Sequence, residues 1–452
     1  MDTPSSQNRY ARFIEWRELH ITDTGFILVL ALVTGILSGV GAWLLKLLIA
    51  TITRLTRDSI DSINADWLII IVPVIGITLT ALFSRYILHD HVDNGVARMV
   101  NDLKAKKYKL SARVIYGSLI GSALTLGTGG TAGSEGPIAY TGAGIGSKLG
   151  ELFRVNQRMM MVLLGCGAAA GIAGIFKAPI GGALFALEVL RIEFTTVAVL
   201  GIFLATLAAS LVAYVLSGCT LDINVISPGP YDVHTVAWCV PLGIVCGLYS
   251  LYYTGTGGLM KKWLSSERHA WLKWLTSGLA IGTIIYLFPA LYGEGYGTIT
   301  DIINGNFSAP DSHDILRHWS GDAWMLPATC IGILLLKGAG SSATNNGGGV
   351  AGDFAPTLFA GCILGLFFAV MIKITGWADL SPAHYALIAM AGSMAGIIRA
   401  PLMAIFLTTE MVGGVEFLLP ATIVALISYS IVMICKRNTF YHSQPFISSD
   451  PQ

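Results

Sequence analysis

The sequence predicts an all-α polytopic membrane protein made of two homologous halves, with broken, re-entrant helices inside it. Three observations carry that expectation. Only 12% of the 452 residues are charged and 54% are hydrophobic, about half the charged share of an ordinary soluble domain. Apolar segments follow one another with little polar chain between them, and several are interrupted by Gly and Pro. Two stretches of the first half also recur in the second at nearly one offset. The net charge of +1 leaves no basic field for nucleic acid and no acidic tail. Seven cysteines (Cys166, Cys219, Cys239, Cys246, Cys330, Cys362, Cys435) are scattered without a C-x-x-C pair. They read as buried packing thiols, not as a disulfide frame or a zinc site.

In chain order, residues 1–24 are polar and carry Arg9, Arg12 and Arg17. The apolar run that follows is too long for a signal-peptide core and reads as a first spanning helix. These arginines, with the later "KAKKYK" (Lys104, Lys106, Lys107, Lys109), fit positive-inside loops and put the N-terminus in the cytoplasm. Apolar segments are expected near 25–50, 67–88, 111–128, 157–175, 195–217, 235–254, 271–292, 323–337, 357–374, 384–398 and 417–435. Segments 94–103, 135–150, 178–191, 297–304 and 401–412 are too short, or too broken by Gly and Pro, to span. Backbone of that kind survives at membrane depth only where protein or a watery cavity satisfies it, so broken helices point to a transport site. The expected division is a cytoplasmic segment 1–24, one transmembrane domain 25–440 with halves at about 25–217 and 235–440, and a short tail 441–452. Trp238, Trp271 and Trp274, near segment ends, read as interfacial anchors.

The repeats are specific. "AGIFKAPIGGALFALE" at 173–188 aligns with "AGIIRAPLMAIFLTTE" at 395–410, 222 residues on, Lys177 standing against Arg399. Ala132, Gly133, Pro137, Gly142 and Gly146 match Ala351, Gly352, Pro356, Gly361 and Gly365, each 219 residues on. Duplicated halves with matching breaks favour a transporter whose site lies where the halves meet.

Within "AGSEGPIAYTGAGIG" at 132–146, Glu135 is a lone carboxylate among glycines in front of Pro137. A helix N-terminus offers unpaired N–H groups and about half a positive charge, enough to hold an anion without trapping it. "GDFAP" at 352–356 repeats the design. Two such starts meeting at the midplane would form an anion site, and Glu135 would imitate the anion when ionised and leave when protonated. The residues alone leave a second reading equally open, in which Glu135 is a plain carboxylate stabilising its own helix start.

Together "GSEGP" (133–137), "GDFAP" (352–356), "APIGGALFALE" and "GEGYGTI" (293–299) resemble the CLC family of chloride channels and proton-coupled chloride antiporters, over residues 25–440. The resemblance implies a CLC-type fold of two inverted halves. It implies a homodimer with one pore per subunit, no cofactor with chloride as the transported substrate, and an integral, multi-pass protein of a bacterial inner membrane. It places the gating glutamate at Glu135. Backbone ligands would lie around Gly136, Asp353, Phe354 and Ala355, and side-chain ligands at Asn94 and Tyr441. Membrane lipid and a second copy are the partners it implies, with chloride and protons as the ions, and no CBS domains follow.

Departures from the family pattern matter as much. Asn94 stands where the family has a serine, and its amide can still donate to chloride. Ser134 replaces the arginine of the Gly-Arg-Glu-Gly-Pro motif and removes a positive charge from the pore mouth. Asp353 replaces an apolar residue, either adding negative charge near the pathway or capping the second helix. Val189 follows Glu188 where antiporters carry a second, proton-transferring glutamate, which favours channel-like behaviour. Glu193, four residues on, is the alternative relay if the helix continues that far, with a pair to Arg191 as its plain reading. Glu188 and Glu410 read as buried structural carboxylates. Pro137 favours chloride over fluoride.

Other signals weigh less. "GTGGTA" (127–132) follows no strand pattern and is not a dinucleotide site. "HDHVD" (89–93) reads as a solvated loop before a metal site. The competing class of function is a cation-coupled transporter or an intramembrane enzyme using Glu135, Glu188 and Glu410. Helix N-termini with Pro137 and Pro356 in matching first turns favour the anion.

Overall fold

A computed structural model describes residues 19–63, 67–88, 95–220, 233–267, 269–305 and 324–435. Among them are sixteen α-helices, which fall into two sets of eight in the same order. The first set is α1 (Asp23–Ile63), α2 (Leu68–Leu82), α3 (Gly95–Lys104), α4 (Arg113–Gly127), α5 (Glu135–Leu152), α6 (Gln157–Phe176), α7 (Pro179–Leu184) and α8 (Thr196–Leu216). The second is α9 (Cys239–Ser265), α10 (Ala270–Leu287), α11 (Tyr296–Ile303), α12 (Met325–Asn346), α13 (Phe354–Ile374), α14 (Pro382–Ile398), α15 (Pro401–Val412) and α16 (Leu418–Cys435). Packing repeats with the order: α5 lies on α6 as α13 lies on α14, and α1 lies on α8 as α9 lies on α16. Across the halves α2 packs on α10, α7 on α15 and α5 on α13.

Small residues explain the close approach. Apolar side chains gain nothing by leaving lipid for one another, so membrane helices associate through tight backbone packing. Gly35 and Gly39 of α1 rest on Ala205 and Ala209 of α8, where an added Cβ would lie 2.3 and 2.6 Å from the two carbonyl oxygens. Gly243 and Gly247 do the same for α9 against Ile427 and Ile431 of α16. The recurring glycines found in the sequence have the same cause. Gly142 and Gly146 meet the backbone of α6 at Gly167 and Leu163, and Gly361 and Gly365 meet α14 at Ala389 and Tyr385.

Nine helical spans among the described residues are long and apolar enough to cross a membrane. Of these, α6 and α13 are the most enclosed, with 89% and 72% of their apolar windows buried against 33–50% elsewhere. The outer helices α1, α8 and α16 turn large apolar side chains outward, among them Leu47, Leu211 and Leu426, as lipid-facing helices do.

Several boundaries differ from expectation. The first helix runs to Ile63, since the polar turns beyond residue 50 remain helical after the apolar run stops. The segment 135–150 lies within one unbroken eighteen-residue helix, Glu135–Leu152, its glycines serving close contact with α6 instead of breaking it. The span expected to end at 337 continues to Asn346, with Lys337 buried inside it. Cys219 and Cys435 are exposed, so only five of the seven thiols are buried packing groups.

Both α6 and α14 end on a basic residue in the left-handed conformation, Lys177 at φ 54° and Arg399 at φ 62°. A Pro two residues later begins the next short helix in each half. A basic residue there also suits the negative helix end. The conservative pair in the repeat is thus a matched pair of helix stops.

Candidate functional site

The two repeated helix starts meet. Gly133 N–H donates to Gly352 C=O at 2.9 Å, and Gly352 N–H donates back to Gly133 C=O at 2.7 Å. This two-bond antiparallel bridge holds the approaches to α5 and α13 side by side. Glycine is required on both strands of it. An added Cβ on Gly352 would sit 2.8 Å from Gly136 N, and one on Gly133 would sit 2.0 Å from Glu135 Oε2. The helices then begin in the same register, Glu135-Gly136-Pro137 against Phe354-Ala355-Pro356. Neither Ser134 nor Asp353 caps its own helix by side chain. Among the described residues the N–H groups of Gly136 and Ala355 meet no acceptor. Two positive helix ends therefore point into one place, the arrangement that binds anions.

Glu135 fills that place. It is fully buried; its Oε1 accepts from Tyr296 Oη–H at 2.6 Å, while its Oε2 has no hydrogen-bond partner. A buried carboxylate oxygen without a donor is a costly arrangement, and it marks a group built to move or to change charge.

Around Glu135 lie charged groups whose assembly the motifs did not reveal, although Glu294 itself belongs to "GEGYGTI". Glu294 accepts at Oε1 from both the N–H and the Oγ–H of Ser134, and at Oε2 from Lys46 Nζ at 3.3 Å. Lys46 Nζ also stands 4.3 Å from the centre of the Tyr296 ring. The positive charge expected to be lost at Ser134 is thus replaced by Lys46, reaching in from α1. Gly295, at φ 83°, lets the chain turn between Glu294 and Tyr296, and an added Cβ there would meet Phe359 at 2.4 Å. On the other side Lys337 of α12, fully buried, donates to Thr131 Oγ1 at 2.9 Å and lies 4.6 Å from the Phe359 ring centre. The sequence signal for Lys337 was an ionisable residue inside an apolar run, which marks a functional site by default. Hydropathy instead read it as the end of the span.

The remaining expected residues are placed as follows. Phe354 is buried with its ring edge-on to Phe185 at 5.6 Å. Asp353 does not cap α13: its Oδ1 accepts from Ser341 Oγ and Asn345 Nδ2 of α12, both at 2.8 Å. The capping expectation fails because the carboxylate is drawn to the nearer donors of α12. Gly95 packs on Gly136, with an added Cβ 2.5 Å from Gly136 O. Asn94 and Tyr441, like the "HDHVD" stretch, lie outside the described residues.

Val189 is buried at the end of a π-helical turn, Phe185–Val189, that extends α7. The helix stops there, and Arg191 at φ 56° turns the chain away. Glu193 therefore shares no helical face with Val189. It pairs across the surface with Arg158 at 3.7 Å, both side chains well exposed, and not with Arg191.

Glu188 and Glu410 answer each other across the halves. Glu188 accepts from Leu402 N (3.3 Å) and Met403 N (2.8 Å) at the start of α15, and Glu410 accepts from Ile180 N (3.0 Å) and Gly181 N (2.8 Å) at the start of α7. Each carboxylate satisfies the orphan donors of the opposite short helix. Removing either by Glu188→Ala or Glu410→Ala leaves two such donors unpaired. That loss should cost about 1–3 kcal/mol, read as a lower thermal midpoint in detergent.

The family model described as voltage gated chloride channel matches residues 78–433. The chain belongs to that family. Among its relatives is the H(+)/Cl(−) exchange transporter ClcA of Vibrio cholerae, 26% identical over 425 residues, 88% of this chain and 85% of the relative. Another is a putative chloride channel protein, ClcB-like, of Ralstonia nicotianae, 28% identical over 384 residues, covering 80% and 82%. Similar solved structures include a slow cyanobacterial Cl−/H+ antiporter (TM-score 0.78, 22% identity, 92% of this chain and 96% of that one) and a CLC-type fluoride/proton antiporter (TM-score 0.74, 24% identity, the same coverage). The CLC fold, with inverted halves and multi-pass membrane helices, is thereby shared.

Proposed function

We propose that this CLC-family chain carries chloride across the membrane through a pathway gated by Glu135. The observation that carries the reading is the Gly133–Gly352 bridge, which brings two helix starts together around a buried carboxylate with one unpartnered oxygen. Backbone N–H groups at Gly136, Phe354 and Ala355, and in the register after Asp353, replace the water lost by an entering anion, and Asn94 and Tyr441 add side-chain donors. Ionised Glu135 occupies the position and protonated Glu135 yields it. The working unit is a homodimer in a bacterial inner membrane with a cytoplasmic N-terminus, each copy a single transmembrane domain over 25–440.

Val189 in place of a second glutamate supports passive conduction, and Glu193, exposed and paired with Arg158, serves at most as a surface proton acceptor. A second reading, proton-coupled exchange, is favoured by the exchangers among the relatives. Purified protein in liposomes, with chloride and pH followed together, separates them. Chloride efflux without proton movement supports conduction. Proton uptake driven by a chloride gradient supports exchange, and no anion flux at all sinks both. In the same assay Tyr296→Phe should raise efflux at fixed pH. It removes a charge-assisted bond worth about 1.5–3 kcal/mol, enough to shift the held-to-released ratio of Glu135 about tenfold.

A further inference from the structure

Lys337 is the buried ionisable group that this gating scheme leaves unused. It sits on α12 and none of its surface is exposed. Its partners among the described residues are one hydroxyl, Thr131 Oγ1, and the face of Phe359. An ammonium has three donors, so two are left over. Thr131 stands four residues before Glu135 on the approach to α5, and the Phe359 ring that Lys337 faces also walls Gly295, between Glu294 and Tyr296; both carboxylates are thus neighbours of Lys337, though neither forms an ion pair with it among the described residues. Glu294 is committed elsewhere: Ser134 takes one oxygen and Lys46 the other. That leaves Glu135, whose Oε2 is without a partner, as the counter-charge available to Lys337.

These charges balance only in that state. Apart from Asp353, which Ser341 and Asn345 hold, the charged groups named around Glu135 are two carboxylates, Glu135 and Glu294, and two amines, Lys46 and Lys337. Protonating Glu135 or swinging it out leaves one uncompensated positive charge in a low-dielectric interior, where an unpaired ion is strongly disfavoured. One monovalent anion restores neutrality. We infer that Lys337 is an anion-binding residue of this pathway, whose ammonium form holds a halide when the Glu135 carboxylate withdraws. The inference rests on the anion reading above and adds a full side-chain charge to a site otherwise made of uncharged donors. A full charge holds an ion more tightly than partial charges do, so the site trades speed of release for affinity at low chloride.

The test is chloride titration by calorimetry, with chloride-dependent thermal stabilisation, on the full chain in detergent. Lys337→Met and Lys337→Gln should raise the chloride Kd about tenfold or more, the size expected for losing a charge-assisted hydrogen bond. Lys337→Arg, which keeps the charge, should recover most of the affinity. A lysine that merely packs, or one that is neutral, predicts a lower thermal midpoint in all three variants with the chloride Kd unmoved, and that result overturns the inference. Bromide-soaked crystals of the unaltered protein give an independent answer. An anomalous peak in contact with Lys337 Nζ supports it, and peaks confined to the helix starts at Gly136 and Ala355 refute it. If the unaltered protein neither binds nor passes halide, the anion reading itself falls and takes this inference with it.

Discussion

Glu135→Gln should leave chloride flux indifferent to pH and uncoupled from proton movement. In the unaltered protein flux should rise as pH falls, because protonation would neutralise the carboxylate proposed above to compete with the anion. A single titrating gate changes its protonated fraction by up to about tenfold per pH unit. The amide cannot change charge, so that dependence should vanish and flux should stay at the level of the released state at every pH. The packing cost is small, since glutamine keeps the shape and still accepts from Tyr296. A second consequence follows from the charges around it. With the carboxylate neutralised, Lys337 keeps only Glu294, already engaged by Ser134 and Lys46, as a neighbouring carboxylate, so chloride affinity should increase in this variant, and adding Lys337→Met should abolish the increase. Retained pH dependence in Glu135→Gln would move the gate to another group.

The fold was legible because the same physics is written twice in the chain. Glycines 219 residues apart face the next helix in each half, and basic stops and terminal glutamates 222 residues apart end the paired helices and cap each other's partners. The meeting of the two helix starts was legible for the same reason, since Glu135-Gly136 and Phe354-Ala355 begin the helices that the Gly133–Gly352 bridge joins. What remained hidden depends on distance through space. Lys46 and Glu294 lie 248 residues apart and meet beside Ser134, which no local pattern records. Lys337 was read as a span end because hydropathy treats every charge as a boundary, whereas a buried partner can hold one inside. Glu193 stands at a helical spacing of four residues from Val189, but the left-handed turn at Arg191 ends the helix without any glycine or proline to announce it. Asp353 sits at a cap position by sequence, yet Ser341 and Asn345 offer it better-placed donors.

A large structural effect should come from Gly142→Ala. An added Cβ there would lie 2.0 Å from Gly167 O, and the reverse contact, from Gly167 to Gly142 O, is 1.9 Å. Ordinary contact begins near 3.4 Å, and the obstacle is backbone, not a side chain that can rotate away. Helices α5 and α6 must therefore separate by more than an ångström, at about 1–3 kcal/mol or more for overpacking. Because α5 is one rigid helix from Glu135 to Leu152, the shift carries its start away from α13 and strains the Gly133–Gly352 bridge. Loss of monodisperse protein is expected, or, in whatever folds, loss of the pH-sensitive gate. Gly361→Ala, at 2.5 Å from Ala389 O, should do the same more mildly, since a smaller displacement clears it. Gly255→Ala and Gly258→Ala on α9 have open space around the added atom and should be neutral or slightly stabilising, as alanine favours the helix over glycine. The order of midpoints, with α9 variants highest and Gly142→Ala lowest, follows from backbone clearance alone, while helix propensity would make all four substitutions equally favourable.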